Sequence, residues 1–314
     1  MTSTGSVGRA LLGASDASVL ARGARLVSVA ILIAIGISHV FWALLQWPLH
    51  DMDVYLAAAT RLRSGGPLYA PGGPSFFAYI YAPWFAAAWI PLSYLPRAVV
   101  AIGWSTILVL ATAGVGWIVW WRGRSGPVLA LLVTPPLLAV SAGGNVQALL
   151  VLGLLAGLNR RSGPIWVALA ASLKLTPILF CAVYVRRRQW WRALAALVLT
   201  AVLLLPALPM GLAGQLSFAA RDIAAPSLLG AFPPIYVLSV VAALIALVVL
   251  PDRFAPLGAA LAAVLALPRL FVYDVTLLAV GAVGACRPHH RERPTSPASD
   301  GAGPHRFDEQ SAST

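Results

Sequence analysis

Six aspartates make up the whole acidic inventory of the first 286 residues: Asp16, Asp51, Asp53, Asp222, Asp252 and Asp274, with no glutamate among them. Any proton transfer by a carboxylate has to come from this short set. Asp16 lies in a small, polar N-terminal arm, Asp222 in a loop over 213–231, and Asp252 in the turn Pro251-Asp252-Arg253. Asp51 and Asp53 stand in LHDMDVYLAAATRLRSGGPLY, an Ala-rich segment that ends at Gly65-Gly66-Pro67, a helix-termination signal. On that helix Asp51 and Tyr55 are four apart and share a face, while Asp53 points elsewhere. A carboxylate there can act as a general base on a hydroxyl. It can equally cap the helix, with Asp51 accepting backbone N–H bonds and Asp53 favouring the N-terminal dipole.

Asp274 sits inside the apolar run Phe271-Val272-Tyr273-Asp274-Val275, where an ionised group is costly and marks function. Lys174, the single lysine, lies in the middle of a 22-residue apolar run ahead of Pro177. Its ammonium must pair, snorkel or face a polar cavity; snorkelling is hard from mid-run, which favours the cavity. Arg269 follows Pro268 close to Asp274, and a structural ion pair between the two is the alternative to a functional role. Asn145 and Gln147 open another apolar run behind Gly143-Gly144, with a plain helix cap as the competing reading of Asn145. His39 reads as a packing residue. No His and carboxylate pair has metal-site spacing, Cys181 and Cys286 form no framework, and neither a Walker loop nor a dinucleotide fingerprint is present. No metal or cofactor is therefore expected.

The elements that must hold these residues are apolar. Of 314 residues 60% are hydrophobic and 10% charged, and mean hydropathy is +0.84. An ordinary soluble domain carries about 25% charged residues, so a soluble enzyme, a disordered chain and a disulfide scaffold are excluded. Long Leu/Ala/Val runs also exclude an outer-membrane barrel. The fold class expected is all-α, a polytopic helical membrane protein of roughly eight to ten segments. A first span covers 24–46, and further apolar runs cover 76–96, 98–121, 127–142, 145–158, 164–185, 193–212, 232–250 and 255–286. Residues 1–23 form a cytoplasmic arm, 24–286 one membrane-embedded domain, and 287–314 a tail expected to be disordered.

The net charge of +12 sits in short arginine clusters between apolar runs, which is how membrane orientation is written; no basic stripe interleaved with aromatics points to nucleic acid. Arg9, Arg22 and Arg25 place the N-terminus in the cytoplasm, together with Arg186-Arg187-Arg188 and the tail. Residues 47–75 then face the extracytoplasmic side. Strict alternation of these runs puts Arg122/Arg124 and Arg160/Arg161 on that side as well, against the positive-inside bias. Short runs and prolines (Pro83, Pro91, Pro135, Pro136, Pro177) allow half-spanning hairpins that would remove the conflict.

Asp51-x-x-Val54-Tyr55 followed by Gly65-Gly66-x-Leu68-Tyr69 resembles glycosyltransferase family 87. So do Phe77, Tyr79, Tyr81-x-Pro83, Pro91-Leu92 and Leu95-Pro96, then Gly144-Asn145-Val146-Gln147, Leu173-Lys174-x-x-Pro177 with the Arg186–Arg192 cluster, and Tyr273-Asp274. The ordered series covers about residues 24–286. The resemblance implies the C-type glycosyltransferase fold in a bacterial plasma membrane. It also implies transfer of mannose, or another hexose or pentose, from a polyprenyl-phosphate sugar to a glycolipid or glycan acceptor on the extracytoplasmic face.

In that reading Asp51 holds the family's position and is the base of an inverting transfer, with Asp53 the runner-up. Lys174 or Arg269 would hold the lipid phosphate. Tyr55, Tyr79 and Tyr81 would line the sugar site, with Asn145, Gln147 and Asp274 also binding substrate. Two other readings stand beside this one. A transporter or lipid flippase would use Lys174 and Asp274 as relay groups, although no internal repeat is visible. An inactive, truncated family member would act as a scaffold.

Overall fold

A computed structural model describes residues 49–69, 78–122, 125–212, 232–267 and 270–285, and single helical positions between 23 and 34. The N-terminal arm, most of the first span, Asp222, Arg269 and the tail lie outside the described residues. Every regular element among the described residues is helical. They are α1 (His50–Arg63), α2 (Pro83–Trp89), α3 (Arg97–Trp120), α4 (Gly126–Ala142), α5 (Gln147–Gly157), α6 (Gly163–Leu173), α7 (Cys181–Arg186), α8 (Trp190–Leu204), α9 (Pro233–Val249), α10 (Ala255–Leu265) and α11 (Leu278–Ala285). Short 3-10 turns at Pro91–Tyr94, Thr176–Phe180, Asp252–Phe254 and Val272–Leu277 join them.

Proline punctuates this pattern. It occupies the first turn of α2, α4, α6, α9 and α10, where its missing N–H costs nothing and its fixed φ suits the helix. Pro135 and Pro136 behave differently from the expectation. α4 runs through both without breaking, forgoing two backbone donors.

α3 and an element spanning Trp190–Ala207 are long and apolar enough to cross a bilayer. At 24 residues α3 is about 36 Å long. The other apolar helices are shorter, and three of them, α5, α6 and α10, have 11 residues, about 17 Å each. α5 is wrapped on most sides by α3, α4, α6 and α11, and its residues Ala148, Val151 and Leu154 are fully buried. α9 instead exposes most of its surface, burying Ala243 and Leu247.

Three apolar runs depart from single crossings. The run 76–96 forms the seven-residue α2 and a 3-10 turn, both packed against α1. The run 164–185 folds back at Lys174, which is extended (φ −135°, ψ 117°), so α6 and α7 form a hairpin. The run 255–286 breaks between α10 and the Val272 turn. These departures bring the arginine clusters to one end of the bundle. Arg187 donates to Asn159 Oδ1 (2.5 Å), Arg192 to the Leu158 and Arg160 carbonyls, and Arg186 to the Leu250 carbonyl and Asp252 (2.8 Å each). α4 runs antiparallel to α3, with Thr112 of α3 beside Ser141 at the far end of α4, so Arg122 falls at this same end. Asp51, Asn145, Lys174 and Asp274 gather at the other end.

Candidate active site

The helix of Asp51 is set by a clamp. α1 opens at His50 behind Leu49, a buried residue in the left-handed region (φ 30°), a strained conformation of the kind found where a site is pre-organised. The Asp51 N–H donates to the Gly143 carbonyl (2.8 Å), and Trp104 Nε1 of α3 donates to the Gly144 carbonyl (2.8 Å). The Gly143-Gly144 turn thus ties α1 to α3 and α4. Gly144 has φ +85°, and a Cβ there would lie 2.9 Å from the Met52 nitrogen. Gly144→Ala should therefore lower stability by about 1–3 kcal/mol through a strained backbone and a displaced α1. Gly143, at φ −73° with ordinary clearance, should accept alanine. Unfolding temperatures of the two variants check this, and equal values would contradict it.

Asp51 does not cap its own helix; no side-chain cap bond is made at the α1 N-terminus. Its Oδ2 accepts a hydrogen bond from Asn145 Nδ2 at 2.6 Å. Asn145 Oδ1 accepts the Gln147 backbone N–H at 3.0 Å and so braces the turn leading into α5 while partnering Asp51; the N-cap of α5 is Val146, which makes no side-chain cap bond. Gln147, fully buried, accepts from Lys174 Nζ through Oε1 (2.8 Å) and points Nε2 towards Thr276 Oγ1 and the Tyr273 carbonyl. Lys174 Nζ also donates to Asp274 Oδ1 at 2.9 Å. The second oxygen of Asp274 accepts the Phe271 N–H (3.0 Å), closing the Val272–Leu277 turn. Five of the residues singled out in sequence, from four separate parts of the chain, form one connected polar network.

An open cavity of about 360 Å³ lies beside it, lined by His50, Asp51, Pro136, Ala139, Val140, Gly143, Val272 and Tyr273. Trp104, whose indole meets the Gly144 turn, lies seven residues into α3. Burial pushes the Asp51 carboxyl above its ordinary 3.8, while the Asn145 bond and the charges of Lys174 and His50 pull it back. Asp53 faces away and forms a two-pronged pair with Arg97 (2.8 Å on both oxygens), with both side chains about half exposed.

The tyrosines sit behind this wall. Tyr55 is fully enclosed, its ring edge-on to Tyr81, Phe85 and Trp104, with its hydroxyl donating to Tyr81 Oη at 3.3 Å. Tyr79 is buried and donates to the Ala82 carbonyl. Their faces pack on aromatic neighbours, so they support α1 from behind the cavity wall and do not form its lining. Lys174 is paired rather than solitary. Asp274 neutralises it, and its ammonium lies 4.7 Å from the centre of the Tyr273 ring. Asp274 thus takes Lys174 as its ion-pair partner, while Arg269 lies outside the described residues. His50 and Tyr273, which carry no signal of their own in the sequence beyond adjacency to Asp51 and Asp274, also line the cavity.

A carboxylate held by one amide in an open cavity can accept a proton from a hydroxyl group. No curated protein and no solved structure matches the chain. The model of glycosyltransferase family 87 matches residues 79–298. The match covers Asn145, Gln147, Lys174 and Asp274 and begins after α1. Seven-tenths of the sequence fits it, and the chain belongs to glycosyltransferase family 87.

Proposed function

We propose that this glycosyltransferase is a multi-pass protein of the bacterial plasma membrane that takes mannose from a polyprenyl-phosphate donor on the extracytoplasmic face. The observation that carries the reading is the Asp51 carboxylate, buried against Asn145 yet lining the open cavity. The acceptor hydroxyl oxygen attacks C1 of the donor sugar, its proton passes to Asp51, and the C1–O bond to the phosphate breaks with the electron pair leaving on the phosphate. The attack inverts C1, turning a β-linked donor into an α-linked product. With Lys174 neutralised by Asp274, His50 in the cavity wall and Arg269 from the sequence are the basic groups for the departing phosphate. The acceptor is a glycolipid or glycan of the envelope.

The orientation rests on the arginines. Arg122, Arg160, Arg161 and Arg186–Arg188 share one end of the bundle and Asp51 the other, so the positive-inside bias puts Asp51 outside the cytoplasm. Nucleotide sugars are absent there, and a lipid carrier supplies the sugar. Cysteine at exposed Ser64 should react with an impermeant thiol reagent in intact cells, and cysteine at exposed Arg161 only after lysis. The reverse pattern would overturn the orientation and the mechanism with it.

A further inference from the structure

Asn145 is the group through which the rest of the polar network reaches Asp51. Its amide is oriented without ambiguity, because Oδ1 receives the Gln147 backbone N–H, which leaves the NH₂ group facing Asp51 Oδ2 at 2.6 Å. The same side chain is 5% exposed, so water does not replace the bond. Its neighbour is fixed in turn. Gln147 is held through Oε1 by Lys174, which is itself held by Asp274. We infer that Asn145 is a positioning residue that keeps the Asp51 carboxylate ionised and aimed into the cavity, and that Gln147, Lys174 and Asp274 serve to hold the backbone from which Asn145 projects. This rests on the reading of Asp51 as the base.

The groups around Asp51 make the expected sign clear. On its own helix stand His50 and Tyr55; from the α2 side comes Tyr81; from α4 and α5 come Gly143, Asn145 and Gln147; from the α6 turn Lys174; and from the 272–277 turn Tyr273 and Asp274. Burial opposes ionisation, while His50, Lys174 and Asn145 favour it, and Asn145 alone does so by a direct hydrogen bond. Without that bond Asp51 holds its proton to higher pH. The acid limb of the transfer rate, which falls as Asp51 is protonated, should then move upward.

Asn145→Ser retains an oxygen that can accept the Gln147 N–H but is too short to reach Asp51. It should move the acid limb of kcat/KM up by about one pH unit, the size expected for a hydrogen bond to a charged group. Asn145→Asp keeps the acceptor for the Gln147 N–H and sets a second carboxylate against the first, and should move the limb further in the same direction. Infrared titration of the Asp51 carboxyl band, recognised by its loss in Asp51→Asn, reads the same shift with no substrate present. An unmoved titration in Asn145→Ser overturns the inference, even if transfer falls at every pH. Wild-type protein that transfers no sugar while its Asp51 titration still shifts in Asn145→Ser would overturn the proposed function and leave the positioning role standing.

Discussion

Asp51→Asn is expected to lower sugar transfer by about 10²–10⁴-fold while donor binding and expression stay near wild type, because the variant keeps the shape of the side chain and loses only its basicity. Asp53→Asn is expected to be mild. Two residues apart on a helix, the two side chains diverge by about 200°. The structure puts Asp51 in the cavity wall and Asp53 in an exposed pair with Arg97. A surface pair of that kind contributes about 0–1 kcal/mol. Single-turnover transfer assays on the two variants decide the matter. Full transfer by Asp51→Asn, or loss of transfer in Asp53→Asn alone, would contradict the assignment.

The second large effect is on folding. Asp274 is 1% exposed and depends on Lys174 for its counter-charge. Lys174→Gln leaves a buried carboxylate unpaired and is expected to lower stability by about 3–5 kcal/mol. Asp274→Asn in the same chain removes the orphaned charge and should restore most of that loss. Thermal unfolding in detergent of the single and double variants reads the difference. A Lys174→Gln protein as stable as wild type would show that the pair does not form. Of the three fates the sequence leaves open for Lys174 (pairing, snorkelling or a polar cavity) it favours the cavity, whereas the ion pair with Asp274 ties the residue to stability.

The polar anomalies were legible in the sequence because an apolar chain makes each one conspicuous. Asp51 stands out as one of six aspartates, and Asn145, Gln147, Lys174 and Asp274 as polar groups in or at the edge of apolar runs, and the structure joins them. Which of them pair was not legible, since Lys174 and Asp274 are a hundred residues apart and only the α6–α7 turn brings them together. The tyrosines were misleading for a physical reason. An aromatic on the same helical face as a catalytic carboxylate can stack on a sugar or on other rings, and periodicity does not distinguish these. Tyr55 packs on Tyr81, Phe85 and Trp104. Hydropathy likewise reports that a run is apolar without saying where it turns. In the 22-residue run around Lys174, Pro177 allows a half-spanning hairpin without fixing where it turns; the chain turns at Lys174, and that division sends the arginine clusters to one end.

The most direct test of the account places the purified protein in lipid vesicles with radiolabelled polyprenyl-phosphate mannose and extracted envelope glycolipids. Chromatography then shows whether the label has left its carrier. A new labelled glycolipid is expected, with its mannose α-linked and its formation dependent on Asp51. Label that stays on the polyprenyl phosphate, even if it has crossed from one leaflet to the other, would contradict it and would favour a lipid transporter instead.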